Sequence, residues 1–430
     1  MRWFPLRLPN HFTPLASICL VLASGWAHGQ ETTVPGPADD QFREGLYQRE
    51  TGRPYAAIET LESLLAANPT LNRARLELAV AYYRTLGFAK AREQAQKVLD
   101  DPKTPDAVKL SVLSFLKQIE LDEANTFGRA HRFEPSVSLG LVWDSNVSAG
   151  PDSPLLPFGF SLDNASAKHS DWGTIVQAGL THTAMSSQPL RIGQSTARLS
   201  WVSSLSGYRR AYDTWGQYNL SVFTLATGPA IQFQGGDRGN LNLQMDTLEF
   251  GGRFLGQYFS ASPSYTWKLG RGELSVDGQL MHRDFQRSND AGRDSYYRSL
   301  GVSYGHLLRG GSLALQGGVR VFNESAREDR FTNDGQEVFV GARLRAWQNG
   351  DLFARASWRH TEYDGVEPIY AESRSEIERR LELGASHLFS EGWLDKWQLS
   401  GTATLIKNAA NLGLYEYDRT LATVTFGRGF

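Results

Sequence analysis

Apolar positions along this chain change their spacing near residue 130. Between about Asp39 and Ala124 they follow the 3.6-residue period of amphipathic helices, and from Phe133 onward they recur at every second position. In SVSLGLVWDSNVSAGP, residues 136–151, Val137, Leu139, Leu141 and Trp143 share one parity while Ser136, Ser138 and Gly140 take the other. Between the two regimes, FGRAHRFEP breaks the helix: Pro135 disfavours helical backbone at Glu134, and Gly128 interrupts the period. The pattern predicts an α+β chain of two domains, helical over 39–126 and strand-built over 130–430.

The helical part repeats itself. Gly45, Gly52, Ala57, Leu61, Leu64 and Pro69 are followed 34 residues later by Ala79, Leu86, Ala91, Ala95, Val98 and Lys103, with Pro102 one place early. Small residues where paired helices touch, at a 34-residue period with proline closing each unit, are the tetratricopeptide signature. Two such repeats and a third helix, Pro105 to Ala124, predict a small solenoid whose concave face can hold an extended peptide or a partner helix. A plain spacer is the competing reading.

The strand part divides into segments starting near 133, 173, 194, 214, 229, 254, 272, 294, 312, 335, 352, 376, 396 and 419. Short connections, TGP (227–229), GRG (270–272), RGG (309–311) and NGD (349–351), alternate with longer polar ones such as QRSNDAGRDS, AREDRFTND and DGVEPIYAES. That alternation predicts a transmembrane antiparallel β-barrel of about 14 strands with both ends on one side. Leu313, Leu315, Val319 and Val321 oppose Gln316 and Arg320, so one face is apolar and the other wet. A soluble sandwich also alternates, but strands so long and numerous are unusual there. Phe259, Tyr265, Trp267 and Trp397 fall on the apolar parity near strand ends, where aromatic girdles sit. His182 and His387 share that parity.

Composition agrees with strands and turns: 42 glycines and 22 Phe, 16 Tyr and 11 Trp against four Met, with a formal charge of −2 that gives no reason to expect nucleic acid. Residues 1–29 place Arg2 and Arg7 before an apolar core, Leu15 to Ala23, and end in Ala27-His28-Gly29, which reads as a secretory signal peptide; 30–38 is a Pro/Gly linker. The one cysteine, Cys19, lies in the apolar core, so the mature chain is expected to carry no thiol; lipidation at Cys19 is the alternative.

In the last segment, LATVTFGRGF, Ala422, Val424, Phe426 and Phe430 share a parity, like the C-terminal signal by which bacterial barrels are handed to their assembly machinery; Arg428 departs from it. Taken together, the signal peptide, the short repeat region and a barrel that opens with VWDSNVSAGP and closes with NLGLYEYDRTLATVTFGRGF resemble the surface lipoprotein assembly modifier (Slam) family over essentially the whole mature chain. The sharpest parts are Asp144, Ser145 and Asn146 and, at the last hairpin, Tyr415, Tyr417, Asp418 and Arg419. The resemblance implies an outer-membrane protein of a Gram-negative bacterium, helical domain in the periplasm, delivering a cargo protein (a lipoprotein or a soluble haem-binding protein) to the cell surface. On their own chemistry, the Asp-Ser-Asn trio reads first as a strand-end turn and the Tyr-Asp-Arg group as an interfacial hairpin that closes the barrel.

Arg320, Arg343, Arg345, Arg355 and Arg359 collect on the wet parity, with Asp277 and Glu382 as counter-charges. They suit either an anion-selective or cargo-contacting lumen or a wall stitched by ion pairs. The histidines are scattered, and no HExxH, GxSxG or phosphate loop occurs, so no enzyme, cofactor or metal is expected. Rivals to a translocon are a passive solute channel and a polysaccharide exporter.

Overall fold

The computed structural model describes residues 36–430 except 129, 153–158 and 160; the signal-peptide reading and Cys19 lie outside the described residues. The described residues divide into two compact units, one holding those from 36 to Ala130 together with Ser186–Arg198, the other those within His131–Met185 and Leu199–Phe430.

The first unit contains α1 (Pro37–Glu50), α2 (Pro54–Ala67), α3 (Asn72–Arg84), α4 (Phe88–Leu99) and α5 (Asp106–Phe127). Helix α1 begins inside the expected linker, with Pro37 at its first turn, where the missing N–H costs nothing. Each helix packs on the next. The repeat positions make the core: Ala57, Leu61, Leu64, Ala79, Ala91, Ala95 and Val98 are all 0% exposed, and Gly45 lies directly against Leu61. The turn positions match as well, because Gly52 and Leu86, 34 apart, both have positive φ. Arg49, buried beside α3, pairs with Glu77; desolvation pushes the Glu77 carboxyl above its usual range against the downward pull of that guanidinium. Residues 186–198 join this unit through Tyr55, whose hydroxyl is 2.9 Å from Thr196 Oγ1, and through Arg191, 3.1 Å from Glu59. Sequence periodicity gave no hint of that grouping.

The strands form one antiparallel sheet, which belongs to the second unit except for residues 190–192 and 195–198. Its strands are β1 (His131–Asp144), β2 (Asp171–Met185), β4 (Ser195–Tyr212), β5 (Leu220–Phe233), β6 (Arg238–Phe250), β7 (Arg253–Leu269), β8 (Gly272–Phe285), β9 (Ser295–Leu308), β10 (Leu313–Ala326), β11 (Asn333–Trp347), β12 (Gly350–Glu367), β13 (Glu372–Leu388), β14 (Trp397–Ala410) and β15 (Tyr417–Gly429); the short β3 (Leu190–Ile192) only extends β4. Pairing of β1 with β15 and of β2 with β4 closes fourteen strands into a barrel with no free edge.

Two expected boundaries are corrected. Thr227-Gly228-Pro229 is not a turn but lies inside β5, flanked by the pairs Thr227↔Leu243 and Ala230↔Asn240. Proline has no N–H to give the ladder, so pairing lapses there without the strand ending. The turn lies at Gln234–Asp237, closed by Phe233 N–H on Asp237 O at 2.8 Å, and the fourth and fifth strands therefore start at Leu220 and Arg238 rather than near 214 and 229. The long-loop end also has one tight connection, Gly251-Gly252 between β6 and β7.

Outward positions are apolar and exposed, among them Leu139, Leu180, Leu205, Leu243, Leu300, Val319, Val340, Leu383, Leu405 and Val424. Exposed apolar side chains in such numbers on one face of a closed sheet fit a hydrocarbon solvent rather than water. At the short-turn end aromatic rings cluster: Trp397 stacks on Phe426 at 4.6 Å, Tyr265 meets Trp267 at 4.7 Å, and Phe133 stacks on His182 at 4.4 Å. His387 is on the same outward face, its Nδ1 accepting from Trp347 Nε1 at 3.0 Å. Phe259, also outward, sits nearer mid-strand.

Candidate functional site

Of the seven residues singled out at the two ends of the barrel sequence, six converge at the long-loop end of the seam between β1 and β15. Asp144, the last residue of β1, is 0% exposed. Arg419 grips it with Nε 3.0 Å from Oδ1 and Nη2 2.5 Å from Oδ2, and the Tyr212 hydroxyl, from β4, donates at 2.5 Å. Asn146 N–H donates to Asp144 Oδ1 at 3.0 Å, an Asx turn. Ser145 and Thr420 exchange two bonds, Ser145 N–H to Thr420 O at 2.9 Å and Thr420 N–H to Ser145 Oγ at 2.7 Å. Asn146 Nδ2 donates to Gly150 O at 2.8 Å and to Asp418 O at 3.1 Å. The trio thus ends the first strand and locks it to the last. Tyr417 is half-buried beside them, the side chain of Asp418 is exposed, and Tyr415 lies elsewhere on the rim: its hydroxyl donates to Glu367 at 2.6 Å and its ring lies 3.9 Å from the Arg374 guanidinium, which also covers Tyr363.

The inner wall carries a second arrangement. In register across six strands stand Asp277, Gly301, Arg320, Glu337, Arg359 and Glu378, one from each of β8 to β13. Charges alternate along this belt. Arg320 spans over Gly301 to Asp277 at 2.5 Å, and it can do so because position 301 has no side chain: a Cβ there would lie 2.9 Å from Asp277 Oδ1 and 3.3 Å from Arg320 Nε. Arg359 lies 4.1 Å from the Phe322 ring centroid, and Arg355 lies 4.0 Å from Glu337 and 4.0 Å from the Phe339 ring. Arg343 pairs with Asp351 at 2.7 Å, while Arg345 is exposed at the short-turn end beside a bulge. Glu382 stands opposite Arg355 in register. The wall holds basic and acidic groups in near balance, so its field is local and bipolar rather than uniformly anion-attracting. Mid-strand inward residues of β6 and β7 are by contrast neutral hydroxyls and amides, Asn240, Asn242, Gln244, Ser260, Ser262 and Ser264, with charge returning at Asp246 and, at the short-turn end, at Lys268 and at Arg238, which pairs with Glu273 at 2.6 Å.

Phe426 and Phe430, the expected assembly signal, end the last strand: Phe430 N–H donates to Pro135 O at 2.9 Å, and the Arg428 guanidinium lies 4.7 Å from the Phe430 ring. Sequence reading missed Tyr212, Gly301, Glu337 and Glu378. Each owes its place to cross-strand register, and only the charge alternation on the wet parity hinted at the last two. No group of metal-ligating side chains occurs among the described residues.

No family model matches the chain, and no curated protein matches its sequence. Similar solved structures include outer-membrane proteins. A loop-deletion mutant of OmpT, an outer membrane protein of Vibrio cholerae, is 8% identical with a TM-score of 0.39 over 70% of this chain and 100% of that one. An anion-selective porin from Comamonas acidovorans is 10% identical with a TM-score of 0.37 over 70% and 99%. OpdK of Pseudomonas aeruginosa, solved with vanillate, is 10% identical with a TM-score of 0.34 over 69% and 99%.

Proposed function

We propose that this chain is an outer-membrane translocon of the surface lipoprotein assembly modifier kind, moving a lipoprotein or secreted protein outward from the periplasm. The observation that carries the reading is the surface of the helical unit. Its repeat positions build a complete core, yet α5 leaves Leu110, Leu113 and Leu121 about half exposed or more along one side. Three solvated leucines are a face for another polypeptide, which a passive channel has no use for. Two tetratricopeptide-like repeats are also short for a polysaccharide exporter, where long arrays are usual. In this reading the helical unit holds the cargo and the barrel conducts it or opens beside it, and cargo folding outside supplies the drive, as the described residues offer no nucleotide site.

The deciding experiment deletes the gene in its own host and compares protease-shaved surface proteins and culture medium with the parent by mass spectrometry. One or two proteins lost from these fractions but retained inside the cell support the translocon. Unchanged fractions remove it. The charged inner wall favours a second reading, a passive solute channel. Removing residues 39–124 separates the two: a channel keeps its bilayer conductance and its role, and a translocon loses cargo delivery.

A further inference from the structure

The outside of the barrel is not evenly convex. Between β5 and β9 an outward recess of about 670 Å3 is floored by Leu225, Leu243, Met245, Phe259 and Leu280. Toward the long-loop end three polar side chains border it. His282 and Tyr296 stack at 4.5 Å, and the His282 Nδ1 is buried with no hydrogen-bond partner among the described residues. Arg298 is exposed and makes no ion pair among the described residues; its register partners are Leu280 and Asn323, both neutral. The nearest outward acid on a neighbouring strand, Asp284, is penultimate in β8 and bonds Gln286 at 2.8 Å, whereas Arg298 is the fourth residue of β9, on the apolar band itself.

An unpaired guanidinium on a lipid-facing surface is expensive unless an anion meets it. Other outward cations stand toward the same end: Arg209 on β4, and Arg379 and Lys407, which face each other across β13 and β14, Lys407 having the acid Asp418 as its register partner on β15. We infer that the β5–β9 recess is a binding site for a phosphorylated, multiply acylated glycolipid of the outer leaflet. Arg298 takes a phosphate, the exposed Tyr296 hydroxyl offers a hydrogen bond to the headgroup, and the leucine and phenylalanine floor takes an acyl chain. Charge complementarity at one end and apolar area below it select an anionic amphiphile over a second copy of the chain, which would bring its own unpaired arginine to the same place. The inference rests on the outer-membrane part of the proposed function and not on cargo transport.

Its test uses the purified full chain in maltoside detergent and native mass spectrometry, with bis-phosphorylated hexa-acyl lipid A, the same glycolipid stripped of phosphate, and inorganic phosphate as probes. The phosphorylated lipid should bind at least about 10-fold tighter than the stripped one, and Arg298→Gln should erase that difference, the factor expected for one charge-assisted hydrogen bond. Met245→Trp, which fills the floor and leaves Arg298 in place, should weaken both lipids. Equal binding of the two lipids, or an unchanged preference in Arg298→Gln, overturns the site. Displacement of the lipid by millimolar inorganic phosphate would reassign it to a free anion, and a dimer mass in place of lipid adducts would reassign it to a second copy. Flotation with liposomes keeps the premises apart: a wild-type chain that does not insert refutes the membrane reading, whereas an inserting Arg298→Gln chain with unaltered lipid preference refutes the lipid site alone.

Discussion

Two ion pairs of the same chemistry occupy opposite surroundings in this barrel. Arg419 meets Asp144 in the seam, where the carboxylate is 0% and the guanidinium 16% exposed; Arg320 meets Asp277 on the inner wall at 21% and 33%. In the seam every carboxylate oxygen is engaged, by Arg419, Tyr212 and the Asn146 N–H. On the wall water competes for both partners. Taking a charge out of water is costly, so the buried pair matters mainly through the penalty for breaking it, while the wall pair matters little either way. The difference separates a fastener from a lining.

Substitutions graded by expected effect test that separation. Asp144→Ala strands the Arg419 guanidinium and opens the turn at Asn146, and should cost about 3–5 kcal/mol, read as a fall in the urea midpoint of the detergent-folded barrel. A loss under about 1 kcal/mol would place the seam pair with the wall pairs. Tyr212→Phe removes one donor to a buried carboxylate and should cost about 1.5–3 kcal/mol by the same measurement. Gly301→Val drives a side chain between Asp277 and Arg320 and should cost about 1–3 kcal/mol through crowding; unchanged stability would mean that the belt does not need the gap. Arg320→Ala, which leaves the gap and removes only a partly solvated pair, should stay within about 1 kcal/mol while altering the ion selectivity of any conductance in planar bilayers. If Arg320→Ala destabilises as much as Asp144→Ala, the contrast between fastener and lining collapses.

Much of this architecture could be read along the chain, because a helix and a strand each write their period locally. Gly45 with Ala79 and Ala57 with Ala91 announce helix contacts by being small at a fixed repeat, and Leu313 to Val321 announce two faces by parity. What failed was information held by the neighbouring strand. Gly228-Pro229 looks the same in a turn and in a strand whose partner tolerates the missing N–H, and the true turn lies seven residues further on. Asp144 and Arg419 are 275 positions apart, and nothing in either local sequence says that they touch. The same holds for Tyr212 and for Gly301, whose importance is an empty volume and therefore leaves no chemical trace. Counting signs on the wet parity found the arginines, but not that Glu337 and Glu378 would alternate with them at one height.

The pairing of β1 with β15 also dictates timing. The five helices pack each on the next through contacts made over a few tens of residues, so they can fold before the rest of the chain is in place. The barrel cannot follow suit, since the partner of its first strand is the last segment made. Until Tyr417–Gly429 arrives, some three hundred residues of alternating strand carry two bare edges through water, at risk of pairing with a stranger. Loss of the final strand would therefore leave no smaller barrel as a fallback: thirteen strands would remain with nothing to bring β1 and β14 together.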